Sequence, residues 1–585
     1  MKKQNMLMMA VALFFAGCNS DDMLQDTPEQ NPSPKGPTIQ VPIHITANGG
    51  SNSASKARKV NGTDTGTELT FLWESTDGIE VFAGATGLTR TVFSTLSSGA
   101  GTNAAEFDGS LNYNASENGD LALSSTTPLY SYIRNANLVY NAEDKTVTMD
   151  LTEQTGSLND ALAHTLFWAE TTYGDGTDVH FKYQNQMSVM KFNITNIGTE
   201  TGTGTLTFIA NDGMPNSVTC SAKTGAVTPG TGFYVKATSV TFSNGAATAY
   251  LAIVPNATSA ITKAEVRIDV NGNTYCQKFK NDNIEAGAIE GGLLYPQNVK
   301  KAKQLKVGDV LYKDGTWGTT AETAANKTQD EILGIVGDIN PTQEDFEAGY
   351  RHGYAIYYED LPNDKDYDWA SQYFRKGIAV YVQKVSSAYG VDYPELNPAP
   401  KLADQATIVA AMEAEPSGLK LSQTLYPLLC SFIAGGTENR TAYPAAYYAY
   451  GEWGESAAEQ ATGTHTFLGT AGQMYKVLKN LGILDTTQSF SNNTGDHINA
   501  SSTAEKWTWA NQPYTGVMNL KLTVACTDGN KVMNLNEVTS GLGYYWTTSE
   551  DDGHEAFSFY LSDNSIVFEA QQKTDKKYIR PLVAF

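Results

Sequence analysis

The sequence predicts a mainly β chain, with two β-sandwiches in its first half and an α+β domain after them. Three observations predict this. Residues 38–300 are rich in Thr, Ser, Gly, Val and Phe, and apolar positions alternate with polar ones. Turn signals recur between those stretches, as in sheets built from many short strands. After Lys300-Lys301-Ala302-Lys303 the chain becomes richer in aromatics and helical spacings appear.

The chain opens Met1-Lys2-Lys3, and a short apolar run follows from Met6 to Ala16. A helix that crosses a bilayer needs roughly 20 apolar residues, so this run is too short for one. Lysines ahead of a short apolar core are the layout of a secretory signal. The run ends Phe15-Ala16-Gly17-Cys18, which resembles the lipobox of bacterial lipoproteins. The resemblance implies a signal peptide over residues 1–17, lipidation of Cys18 and a lipid anchor in the outer membrane. Ser20-Asp21-Asp22 resembles the signal that sends Bacteroidales lipoproteins to the outer face of that membrane, implying surface exposure. Residues 18–37, with Pro28, Pro32, Pro34 and Pro37, have the composition of a disordered tether.

The first strand is expected at Ile39–Ala47. Ile39, Val41, Ile43 and Ile45 point one way and Gln40, Pro42, His44 and Thr46 the other, a period of two. Pro42 lacks an N–H, so this strand should lie at an edge or pair on one side only. Turns are expected at Asp77-Gly78, Asn211-Asp212-Gly213 and Asn271-Gly272-Asn273. Further strands are expected at Ala247–Val254 and Val266–Val270.

Thr70-Phe71-Leu72-Trp73-Glu74-Ser75-Thr76-Asp77-Gly78-Ile79-Glu80-Val81-Phe82 resembles a stretch of the fimbrillin family. Leu166-Phe167-Trp168-Ala169, His180-Phe181-Lys182-Tyr183 and Met187–Phe192 resemble its passage into a second sandwich. Thr76 and Asn185 depart from the residues usual there, Gly and His. The resemblance implies a first fimbrillin-like β-sandwich over residues 38–172 and a second over 173–300. It also implies assembly by strand exchange: a protease removes an N-terminal strand and a neighbouring subunit's strand fills the groove. The parts can be named. Behind the first strand lies Asn48-Gly49-Gly50-Ser51-Asn52-Ser53-Ala54-Ser55, then Lys56-Ala57-Arg58-Lys59. Exposed flexible loops are preferred cleavage sites, and Arg58 is the first choice, with Lys56 or Lys59 in reserve.

Residues 301–585 hold helical spacings at Ala406–Glu413 and Ala471–Leu481. In the latter, Met474, Val477, Leu478 and Leu481 form an apolar stripe read as core. Three passages resemble a C-type-lectin-like domain: Val307–Trp317 with Leu333–Val336 and His352–Ala355, then Phe467–Tyr475, then Tyr545–Glu550 with Tyr578–Phe585. Trp546 and the last of these segments are read as core elements that close the fold. Aromatics cluster around Tyr443, Tyr447, Tyr448, Tyr450 and Trp453, and again at Trp507, Trp509 and Tyr514. Exposed aromatic faces are where sugar rings or protein partners pack. Tyr447, Tyr448, Trp453, Trp507 and Trp509 are the candidate ligand contacts, and core packing is the competing reading of the same residues.

The formal net charge of −23 argues against nucleic acid, which needs a basic face. Cys220, Cys276, Cys430 and Cys526 form no C-x-x-C pair, so no zinc site is expected. Disulfides Cys220–Cys276 and Cys430–Cys526 stand beside the alternative of isolated buried thiols. Asp364-Lys365-Asp366-Tyr367-Asp368 has the acid spacing of a calcium loop, but Trp369 and Arg375 occupy its sixth and twelfth places, and a solvated acidic loop is the reading. The seven histidines are scattered and no H-E-x-x-H, G-x-S-x-G or P-loop occurs. No catalytic residue, cofactor or metal is assigned, and the chain is not expected to be an enzyme. The expectation is a surface-exposed fimbrial subunit at a pilus tip. Its partners would be other fimbrial subunits and a glycan or host surface protein. The alternative is a stand-alone lipoprotein that binds such ligands. The closing segment at Phe585 lies inside the lectin-like motif rather than free as a donor strand, which suggests the tip position.

Overall fold

The computed structural model describes residues 38–49, 73–210, 214–255, 260–279, 283–284, 289, 294–358, 367–368, 404–423, 444–452, 463–495, 504–512, 522–532, 535, 544–550, 555–562, 564–573 and 575–585. Cys18, Arg58, Trp453, the turn at 211–213 and the acidic stretch 364–366 lie outside them, and so does the side chain of Tyr447.

The chain is mainly β. Its first sheet has seven strands in the order Thr89–Phe93, Ile79–Ala83, Pro128–Ile133, Phe167–Thr172, Val179–Asn185, Thr38–Gly49 and Ala104–Asn114. The two outer strands meet, because Asn112 N and Asn114 N donate to Thr91 Oγ1 and Thr89 Oγ1 at 2.8 and 3.1 Å. The sheet therefore curls around its own core, which holds Ile45, Trp73, Val81, Phe107, Leu129 and Phe181. Period-two alternation puts these side chains on the inner face.

The next sheets do not respect the expected 172/173 boundary. Val179–Asn185 completes the first sheet, while Leu138–Asn141 and Thr146–Asp150 pair into a four-stranded sheet with Ser217–Ser221 and Val227–Pro229. A six-stranded sheet runs Lys303–Leu305, Asn273–Lys278, Glu265–Val270, Gly202–Ile209, Tyr234–Phe242 and Glu153–Gln154. A three-stranded sheet, with Ser188–Ile194 between Ala247–Ile253 and Leu294–Val299, shares its core. The Asn271-Gly272 turn forms as read. Both residues have positive φ, +52° and +76°, the conformation a two-residue hairpin requires.

The C-terminal part has a six-stranded sheet in the order Trp317–Gly318, Val310–Tyr312, Ile332–Asp338, Tyr354–Tyr357, Leu582–Ala584 and His465–Phe467. A five-stranded sheet runs Phe490–Gly495, Ala504–Trp509, Ser565–Gln572, Glu555–Ser562 and Tyr544–Glu550. Between them lies the helix Ala471–Asn480. Thr470 accepts from Gln473 N, and Gln473 accepts from Thr470 N in return, which satisfies two otherwise unpaired amide groups. Met474, Val477, Leu478 and Leu481 are buried in the core, contributing about 1.5–3 kcal/mol each. Trp546 is 1% exposed, and Arg580 donates to the carbonyls of Tyr357 and Tyr358 at 3.2 and 3.0 Å, which locks the closing segment in place.

Of the two readings left open for Cys220 and Cys276, a bridge or isolated buried thiols, the second holds. The two thiols are free and buried in different sheets. Cys526 is also free, and Cys430 lies outside the described residues. Burial pushes the Cys220 thiol up to about 11. Sequence separation said nothing about which sheet each cysteine joins, and a disulfide needs Cα atoms within about 7 Å.

Candidate functional site

The N-terminal strand Thr38–Gly49 sits inside the first sheet. On one side it runs antiparallel to Ala104–Asn114, from Thr38↔Asn114 to Asn48↔Ala104. On the other it runs parallel to Val179–Asn185, but only from Ile45↔Val179 to Gly49↔Tyr183. Pro42 therefore lies where pairing is one-sided, opposite Ser110, as its missing N–H demands.

Burial follows the same gradient. Ile39 is 47% exposed and Val41 is half-buried, while Ile43, Ile45 and Ala47 are buried at 4%, 0% and 0%. The inner half of the strand packs into a core shared with Phe107, Leu111, Tyr113, Phe181 and Tyr183. Trp73 braces that core edge-on, with ring centroids 5.7 Å from Phe107 and 6.1 Å from Tyr183. Tyr183 shares a hydrogen bond of 2.5 Å with Ser131. Withdrawing the strand would leave two strands with unpaired backbone groups beside an apolar slot, the arrangement that another extended segment can fill.

One polar pair marks the register. His44 Nδ1 lies 2.6 Å from Asp108 Oδ1 across the antiparallel ladder. The hydrogen bond to Asp108 holds the His44 imidazole above its ordinary range, and the same bond from His44 holds the Asp108 carboxyl below its own. His44 N also donates to Gly176 O at 3.1 Å. Sequence reading placed the strand but missed Asp108, Phe107 and Tyr113. Those residues alternate on a separate strand, and nothing local says which strand it will pair with.

The aromatic candidates separate. Trp507 and Trp509 are both 0% exposed, which corrects their reading as ligand contacts. Trp507 stacks on Phe557 at 4.6 Å, and Trp509 packs against Phe490, Tyr475 and Phe568. Period-two geometry sends both rings to the same face of Ala504–Trp509, and that face belongs to the core. Tyr448 is half-buried. Tyr450 stacks on His465 with centroids 4.1 Å apart.

A pocket of about 380 Å³ opens where the sheet that holds Asn273–Lys278 and Lys303–Leu305 meets the C-terminal part. Lys278, Lys303, Tyr312, Trp317, Glu322 and Lys327 line it. Lys303 donates to Trp317 O at 2.7 Å and pairs with Glu322 at 3.1 Å, while Lys327 lies 4.6 Å from the Tyr312 ring. Lys303 and Lys327 are already paired, Lys303 with Glu322 and Lys327 with Asp314 and Glu331, so the aromatic walls suit a ring-shaped, hydroxyl-rich ligand better than an anion.

No family model matches the chain, and no match was found among curated proteins. Among solved structures it is similar to a fimbrial protein from Bacteroides ovatus, at 13% identity over 93% of this chain and 99% of that one, with a TM-score of 0.28. It is also similar to a candidate cell adhesion protein from Bacteroides ovatus, at 15% identity over 46% of this chain and 97% of that one, with a TM-score of 0.30. A candidate cell adhesion protein from Bacteroides fragilis matches at 13% over 47% and 97%, with a TM-score of 0.27. Overlap this low does not establish a shared fold, and the readings below stand on the chain's own residues.

Proposed function

We propose that the chain is a fimbrial subunit that takes up a neighbour's strand after its own N-terminal strand is cut away. The observation that carries this reading is the seat of Thr38–Gly49. A single strand fills a slot between Ala104–Asn114 and Val179–Asn185. The sequence following it is a Gly/Ser/Asn stretch that ends in Lys56, Arg58 and Lys59. Cleavage after Arg58 would free the strand without touching the body.

Lipidation at Cys18, a signal peptide before it and an outer-membrane, surface-exposed position belong to the same proposal. So do the two fimbrillin-like sandwiches and the C-type-lectin-like character of residues 301–585. The strand Leu582–Ala584 is paired on both sides, with Tyr354–Tyr357 and His465–Phe467. The pilus-tip position belongs to the same proposal, and in it this strand stays within the C-terminal sheet. The second reading is a stand-alone surface lipoprotein that binds a glycan or host protein, and the Trp317–Tyr312 pocket favours it.

The test uses the chain from Asn19 onward and a low dose of trypsin. The first reading expects one early cut at Arg58, Lys56 or Lys59, and a body that then binds a labelled synthetic peptide of residues 38–49. A chain that resists cutting there, or a cut body that takes up no peptide, overturns it and leaves the stand-alone binder.

A further inference from the structure

Three donor side chains from separate places in the chain meet where the sheet that holds Glu265–Val270 and Asn273–Lys278 joins the C-terminal part. Glu265 opens the strand Glu265–Val270, and Cys276 lies on its hairpin partner Asn273–Lys278. The hairpin register pairs Glu265 with Lys278 and Arg267 with Cys276. This puts Glu265 and Cys276 on one face as diagonal neighbours. His352, just before Tyr354–Tyr357, comes in from the C-terminal part. His352 Nε2 lies 2.6 Å from Glu265 Oε1, and one donor atom from each of the three residues lies within 4.8 Å of the others. Glu265, Cys276 and His352 are buried at 4%, 3% and 6% exposure. The rings of Trp317 and Phe585 close over His352 at 5.0 and 5.6 Å.

A carboxylate, a thiol and an imidazole are an unusual set to bury together, and the chemistry of the set favours a transition-metal dication over calcium or magnesium. Calcium and magnesium take oxygen ligands, whereas zinc takes Cys sulfur, His nitrogen and carboxylate oxygen in one tetrahedral shell. With bonds of about 2.0–2.3 Å, donors around such an ion stand roughly 3–4 Å apart. The Glu265–His352 contact, now 2.6 Å, would open by roughly 0.4–1.4 Å to admit it. The charges close as well. One carboxylate and one thiolate neutralise a dication, and the neighbouring cation Arg267 has its own counter-ion, Asp269, at 3.0 Å. The other Arg267 N–H groups are turned to the carbonyls of Arg351 and Ile339. Arg351 donates to Ala210 O at 2.8 Å, and Lys278 is exposed.

We propose that Glu265, Cys276 and His352 bind one zinc ion, which fastens the C-terminal part to the six-stranded sheet. On binding, the Cys276 S–H bond breaks and its proton leaves to solvent, the proton shared between His352 Nε2 and Glu265 Oε1 moves to Nδ1 or to solvent, and bonds from the sulfur, the ring nitrogen and the carboxylate oxygen to zinc take their places. The function of such an ion is mechanical. It would hold rigid the joint through which a C-terminal binding domain is carried.

The test is metal analysis of the chain from Asn19 onward, purified without chelator. About one zinc per chain is expected. After removal of the zinc and titration with cobalt(II), a thiolate-to-cobalt charge-transfer band and the strong visible bands of a four-coordinate centre should appear. Cys276→Ser should abolish the charge-transfer band, while Cys220→Ser leaves it intact. Should Cys276→Ser fail to fold, the unmodified chain decides alone, with an unfolding midpoint that rises with added zinc. Purified protein free of zinc, showing only the weak spectrum of six-coordinate cobalt and a midpoint indifferent to zinc, would overturn the proposal. So would a charge-transfer band that survives Cys276→Ser.

Discussion

Ile45→Ala probes the seat of the N-terminal strand most directly. Ile45 is fully buried, and on its two sides it is paired with Phe107 and Val179. Truncating a buried Ile to Ala costs about 2–5 kcal/mol, part from lost transfer energy and part from the cavity left behind. In the intact chain this appears as lower stability of the first sheet. Once the linker is cut, the strand is held by non-covalent contacts alone, and the same energy becomes affinity. At about 1.4 kcal/mol per tenfold, the strand should be held roughly 30-fold to several thousand-fold more weakly. Ile39→Ala is the internal control. It lies on the same strand and the same face but is 47% exposed, so its cost should stay within about 0.5 kcal/mol, about twofold in affinity. The assay cuts both variants with trypsin, or at a sequence-specific protease site placed at residues 50–55. It then follows loss of the released peptide from the body by gel filtration and mass spectrometry. Equal retention of the Ile45→Ala and unmodified strands, or equal loss of the Ile39→Ala and Ile45→Ala strands, would refute the reasoning that the inner half of this strand anchors it.

Two further outcomes concern the C-terminal part. Glu550 and Lys573 form an ion pair with both side chains buried, at 0% and 2% exposure. Lys573→Met takes this cation away from a buried carboxylate and should cost about 3–5 kcal/mol, read as a lower urea midpoint. Glu550→Gln combined with Lys573→Met should recover most of that loss. Glu415 accepts from Ser549 Oγ and Gly472 N, and burial pushes its carboxyl from an ordinary 4.5 up to about 7. A raised folded-state value means that the native protein holds the proton more tightly than the unfolded chain does. Its contribution is therefore full below about pH 4.5 and is lost as the pH rises to about 7. Thermal melts across that window should show the decline, and Glu415→Gln should flatten it.

Local pattern made much of this fold legible. The alternation from Ile39 to Ala47 placed a strand, Asn271-Gly272 placed a hairpin turn, and the spacing of Met474, Val477, Leu478 and Leu481 placed a buried helix face. Each of these is set by backbone periodicity within a few residues. Even the one-sided pairing at Pro42 could be read, because the missing N–H travels with the residue.

What tertiary structure alone decided is which face meets which. Trp507 and Trp509 read as core or as ligand platform, and only the packing of Ala504–Trp509 against its neighbours buried them. Cys220 and Cys276 could be read as a disulfide or as isolated thiols, and the sheets, by placing them apart, made them isolated. The sheets also cross the expected 172/173 boundary, because strand pairing does not follow chain order. Asp108 opposite His44 and His352 beside Glu265 are contacts between segments 64 and 87 residues apart. A periodic pattern names the side of a strand or helix that seeks burial. It carries no information about the partner, because hydrophobic burial is non-directional and pairing is settled only when the whole set of sheets closes.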